Sequence, residues 1–189
     1  RREAGQCASS MCPRGKPDYT VQLVTGIASS SKWVTSTVVL AAIAEGVAAG
    51  QWPSVAAALD ATVMPDLGCG DLAGPVADIT VRQLLSFTSG LLYEHPCIKD
   101  DDSLQGCACD LVTDSLELMT TDVSAETRKT NAHPPGTTYK YGASHLTVAG
   151  AWLERVTGET FEALLGRLVL TPLGIQMRYV RATNLAGSI

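Results

Sequence analysis

From Ser30 to Ala49 the only charged residues are Lys32, near the start, and Glu45, near the end. Within this run Trp33, Thr37, Leu40, Ala41, Ala44 and Val47 recur three or four apart. That spacing lines side chains along one face of an α-helix. A helix this apolar has to be covered by the rest of the chain, so it constrains any fold the chain adopts. Gly46 weakens the run and Gly50 stops it. Ahead of it, Tyr19 to Ile27 carries Val21, Leu23 and Val24 and reads as a strand. Ser29-Ser30-Ser31-Lys32 stands at the join.

The chain has 189 residues, 46% of them apolar and 17% charged, enough to bury the core of one domain. Its net charge is −5 and it holds no basic run. Nucleic acid is therefore excluded as a partner, because phosphate neutralisation needs clustered Lys and Arg. No apolar stretch reaches the roughly 20 residues that span a bilayer. The six cysteines, Cys7, Cys12, Cys69, Cys97, Cys107 and Cys109, lack the paired C-x-x-C spacings of a metal site. Cys107 and Cys109 stand too close for easy self-pairing, so each is expected to take a different partner, one of them Cys97. Disulfides would imply an oxidising compartment; six reduced thiols are the alternative.

Residues 1–17 read as a loop-like N-terminal segment. Thr80-Val81-Arg82-Gln83 has the spacing of a capping box and opens a short helix through Leu84 and Leu85. Residues 93–109 read as a long polar loop, and the acidic run Asp100-Asp101-Asp102 as a solvated part of it. Leu111 to Thr121 is predicted helical, and Pro134-Pro135-Gly136 marks a turn. Further helices are predicted from Ser144 to Val156 and from Glu159 to Leu170, parted by Thr157-Gly158. The balance is helical.

Ser29 and Lys32 have the spacing of a nucleophile and its base. A serine hydroxyl is a poor nucleophile until a base takes its proton and a donor receives the developing oxyanion. Three residues along a helix return to the same face, so Lys32 can point at Ser29 Oγ. A lysine on an apolar face can be depressed enough in pKa to act as a base. The free N–H groups of the helix start favour a negative oxygen. The register is unambiguous, since no other serine has lysine three residues on. Taken alone, the tetrapeptide reads rather as a serine cap followed by a solvent-facing lysine.

Its surroundings decide between these readings. Ile27-Ala28-Ser29-Ser30-Ser31-Lys32-Trp33-Val34-Thr35 runs into an Ala/Val-rich helix ending in Glu45-Gly46. Ile79 to Leu91 reads ITVRQLLSFTSGL, Pro134 to Ala143 reads PPGTTYKYGA, Gly150 to Gly158 reads GAWLERVTG, and Leu170 to Ile175 reads LTPLGI. In order and spacing, from Asp18 to Met177, these segments resemble the serine β-lactamase-related family of class C β-lactamases, penicillin-binding proteins and esterases. The resemblance implies an α+β, β-lactamase/transpeptidase-like fold, here mainly its helical part with few sheet strands. It implies one domain over residues 18–189, lacking the C-terminal strands and the third motif of the family. It makes Ser29 the acylated nucleophile, with its own backbone N–H as one oxyanion donor. Lys32 becomes the proton acceptor and Tyr141 the phenol that shuttles a proton to the leaving group. Neither cofactor nor metal is implied.

Several departures qualify the resemblance. Ala143 stands where the family's Tyr-x-Asn motif has asparagine, and alanine cannot hydrogen-bond a substrate amide. Phe87 replaces a common histidine and is assigned to packing. Lys129-Thr130-Asn131 lacks the glycine of the third motif and precedes Tyr141. His95, His133 and His145 lack the partners and order of a Ser–His–Asp triad and read as surface or capping residues. The expected protein is a secreted or periplasmic serine hydrolase acting on a small-molecule ester, peptide or β-lactam. The alternative is a catalytically inactive relative that serves as a binding or scaffold protein.

Overall fold

The computed structural model describes residues 26–100, 103–120 and 132–177. Most of the strand predicted over Tyr19–Ile27 lies outside these residues, as do Cys7, Cys12, Asp101, Asp102 and Lys129-Thr130-Asn131. Within them the fold is helical. Beyond helices they hold an isolated antiparallel bridge between Thr62 and Thr80.

A 3₁₀ turn, Ala28–Ser30, leads into α1, Ser31–Ala48. Short helices follow at α2, Val55–Leu59, α3, Met64–Leu67, and α4, Val81–Leu85. Then come α5, Cys97–Asp100, the long α6, Leu104–Thr120, and α7, Ser144–Thr157. The chain continues through α8, Phe161–Leu165, a π-helical turn over Gly166–Leu170, and α9, Thr171–Leu173. The capping box at Thr80 is formed: Gln83 N–H donates to Thr80 Oγ1 at 3.3 Å, and Thr80 N–H to Gln83 Oε1 at 3.0 Å.

Helix α7 is the centre of the core. Val148, Ala149, Ala151, Trp152 and Leu153 are all fully buried, and α1, α3, α4, α6 and α8 all pack against it. Helix α1 meets it through Val38, Val39, Ala42 and Ile43. Burial of each Val or Ile contributes about 1.5–3 kcal/mol. The stripe that the sequence period picks out lies on the other face. Trp33 is 84% exposed and Leu40 43%, and Thr37 and Ala44 are also exposed. The helix is apolar nearly all round, so periodicity allowed two stripes, and packing against α7 selected the second.

Gly46 lies inside α1 and is buried. A Cβ there would overlap the Trp52 ring and the Gln51 side chain, so the missing side chain admits Trp52. The Trp52 ring in turn lies 6.0 Å from that of Trp152. The glycine that reads as a weak point in the helix is thus a packing site, and Gly50, at φ 82°, is the terminator.

The loop expected over residues 93–109 is largely helical. Ser103 starts α6, accepting from the N–H groups of Gly106 and Cys107. Cys107, Ala108, Leu111, Val112 and Ser115 line its buried side. Two cystines fix this start: Cys97–Cys107, with Cα atoms 5.2 Å apart, and Cys69–Cys109, at 5.1 Å. Neighbouring Cys107 and Cys109 do go to different partners, and Cys97 is one of them. The Cys69–Cys109 link closes a 40-residue separation, so replacing both residues by serine is expected to lower stability by about 3–4 kcal/mol. Urea unfolding of the double variant with Cys97–Cys107 intact measures it; an unchanged midpoint contradicts the expectation.

Candidate active site

The site is built where the start of α1 meets two bracing loops. Ser29 is exposed in the 3₁₀ turn. Ala28, immediately before it, has φ 43°, a left-handed backbone that is strained for a residue with a Cβ. Lys32 Nζ donates to Ser29 Oγ at 3.4 Å. Lys32 is half-buried rather than enclosed.

Tyr141 comes from the loop ahead of α7. This loop runs beside residues 87–93, joined by Lys140 N–H to the Phe87 carbonyl at 2.9 Å, Gly136 N–H to Thr88 at 2.7 Å and His133 N–H to Gly90 at 2.9 Å. Ala143 N–H donates to the Tyr93 carbonyl at 3.0 Å. Leu92 N–H is held by the buried Ser115 hydroxyl at 3.1 Å, which ties the brace to α6. The two segments approach so closely that a Cβ on Gly142 would overlap the Tyr93 backbone. Phe87, at φ 58°, is a second strained residue beside the site.

The loops bring Tyr141 to Ser29 and Lys32. The Ser29 hydroxyl, and after it the Lys32 side chain, hydrogen-bond the phenol and hold its pKa below the ordinary tyrosine value. Burial opposes this and the lysine charge adds to it. Lys32 Nζ lies 4.6 Å from the Tyr141 ring centroid, within cation–π range. Tyr141 is 49% exposed, so the site lies at the surface. An open apolar hollow beside Ser29 is lined by Ile27, Trp33 and Val34. Ala143 is half-buried and stands as the N-cap of α7, with no side-chain hydrogen bond to that helix.

One histidine departs from the expected surface or capping role. His145 is fully buried. Its Nδ1 lies 2.8 Å from Ser89 Oγ and its Nε2 2.8 Å from the Lys140 carbonyl. Burial lowers its pKa from the ordinary 6.5 to about 4, against a smaller opposing effect of the Lys140 hydrogen bond. The signal was present in the sequence: His145 shares the inward face of α7 with Val148, Ala149 and Trp152. His95 is also partnered, its Nε2 donating to Asp114 Oδ2 at 2.9 Å while Nδ1 accepts from Cys97 N–H. Phe87 packs as expected, its ring 5.4 Å from Tyr141, 5.3 Å from His145 and 6.2 Å from Tyr139.

Comparison with known proteins agrees with this architecture. The Beta-lactamase family profile matches residues 12–182. A crystal structure of a candidate β-lactamase from Bacteroides dorei DSM 17855 superposes with a TM-score of 0.60 at 25% identity, covering 84% of this chain and 40% of that one. The octameric penicillin-binding protein homologue from Pyrococcus abyssi has a TM-score of 0.49 at 20% identity, covering 84% of this chain and 34% of its own. SurE with D-Leu has a TM-score of 0.49 at 22% identity, covering 78% and 31%. No curated protein is significantly similar. The sequence therefore spans less than half the length of these solved relatives. With the match running through nearly the whole chain, the protein belongs to the Beta-lactamase family.

Proposed function

We propose that the protein is a serine hydrolase that cleaves an ester, amide or β-lactam bond through an acyl-enzyme on Ser29. The observation that carries this reading is the meeting of three groups: Ser29 Oγ, Lys32 Nζ 3.4 Å away, and the Tyr141 phenol hydrogen-bonded to both. In its neutral form Lys32 takes the Ser29 proton as Oγ bonds to the substrate carbonyl carbon. The oxyanion forms at the start of α1, with the Ser29 backbone N–H as one donor. When the bond to the leaving group breaks, the proton passes through Tyr141 to that group. Water then hydrolyses the Ser29 ester and restores the hydroxyl.

Ala143 offers no hydrogen bond to a substrate amide, which favours small esters over β-lactams as efficiently turned-over substrates. The two cystines fit an oxidising compartment, so the proposed location is secreted or periplasmic. Incubation with a labelled penicillin or a fluorophosphonate, followed by peptide mapping, tests the chemistry. The expected adduct lies on Ser29 and not on Ser30 or Ser31. A folded chain that takes no adduct from either reagent would instead support a binding or scaffold role.

A further inference from the structure

We propose that buried His145, locked between Ser89 and the Lys140 carbonyl, is the positioning residue that holds the Tyr141 phenol against Ser29 and Lys32. For its catalytic meaning this inference rests on the acyl-enzyme reading above. Tyr141 is half-exposed, so its own packing does not fix the phenol. The peptide joining Lys140 to Tyr141 is planar, and its carbonyl oxygen accepts from His145 Nε2 at 2.8 Å. Fixing that oxygen fixes the plane from which Tyr141 departs. On the other side of Lys140, the N–H donates to the Phe87 carbonyl. The Phe87 ring then stands between the two residues, edge-on to His145 and tilted against Tyr141.

The protonation pattern follows from the partners. A carbonyl only accepts, so Nε2 carries the hydrogen, and Nδ1 is left to accept from the Ser89 hydroxyl at 2.8 Å. Both nitrogens of a neutral ring are satisfied, and both side chains are fully buried. Burial keeps the ring neutral near pH 7, so the lock holds a single tautomer there.

Two substitutions separate positioning from mere packing. In His145→Gln the amide nitrogen reaches as far as Nε2 and can still donate to Lys140. In His145→Asn the amide reaches only as far as Nδ1. Titration of tyrosinate absorbance, with the Tyr141 transition identified by its loss in Tyr141→Phe, reads the phenol without any substrate. His145→Asn is expected to raise that transition toward the ordinary value of about 10. It is also expected to slow Ser29 labelling about 10²-fold, the cost of a misplacement of roughly 1 Å. His145→Gln is expected to restore both. An unmoved transition in a folded His145→Asn, or equal impairment of the two variants, would overturn the proposal. Should His145→Asn not fold, Ser89→Ala keeps the ring and frees only Nδ1; a smaller rise in the same transition supports the lock, and none defeats it. If the transition moves as expected while the wild-type protein takes no label, the positioning role stands and the acyl-enzyme reading falls.

Discussion

Replacing Ser29 by alanine is expected to abolish covalent labelling by penicillin or fluorophosphonate, a loss of at least about 10³-fold in rate, without a measurable change in stability. The loss is large because the oxygen that forms the new bond is gone. Neither neighbouring hydroxyl replaces it, since the Lys32 hydrogen bond runs to Ser29 Oγ. Stability is preserved because Ser29 is exposed and outside the core, where substitutions stay within about 0.5 kcal/mol. The same variant has a signature independent of substrate. Ser29 is the larger cause of the lowered Tyr141 pKa, so Ser29→Ala should move the phenol transition upward. Labelling that survives in Ser29→Ala would place the nucleophile elsewhere.

Lys32→Met is expected to slow labelling by about 10²–10⁴, the usual contribution of a positioned general base. Methionine keeps the length and the apolar stem but has no amine to take the Ser29 proton. Lys32→Arg is expected to fail as completely, because a guanidinium stays protonated and cannot act as a base. Raising the pH should not rescue either variant. A Lys32→Arg protein labelled at the wild-type rate would show that charge, and not proton acceptance, is what position 32 supplies.

The helices could be read from sequence wherever one signal dominated. The capping box at Thr80 carries its own start signal and the run from Ser144 a clear apolar period, and both elements lie close to where the sequence put them. Residues 103–109 read as loop because serine, glutamine, glycine and cysteine dilute the apolar pattern. They are helical because two cystines and the buried stripe of Ala108, Leu111 and Val112 hold them. The buried face of α1 could not be chosen from sequence, since Val38 and Leu40 are equally apolar and only the position of α7 tells them apart. Spacing only named Ser29 and Lys32 as candidates; the family resemblance favoured them and added Tyr141. What joins Tyr141 to them passes through a loop brace of backbone hydrogen bonds and one buried histidine. Backbone pairing leaves no residue-type signature, so that link was hidden.

Gly46 and Trp52 form a single heritable unit. The indole occupies the volume that any Cβ at position 46 would claim, and it carries the contact through to Trp152 beneath. Drift at either position alone leaves a collision or a hole. A descendant of this chain could enlarge residue 46 only after residue 52 had become smaller, so the two positions are expected to change together, in that order.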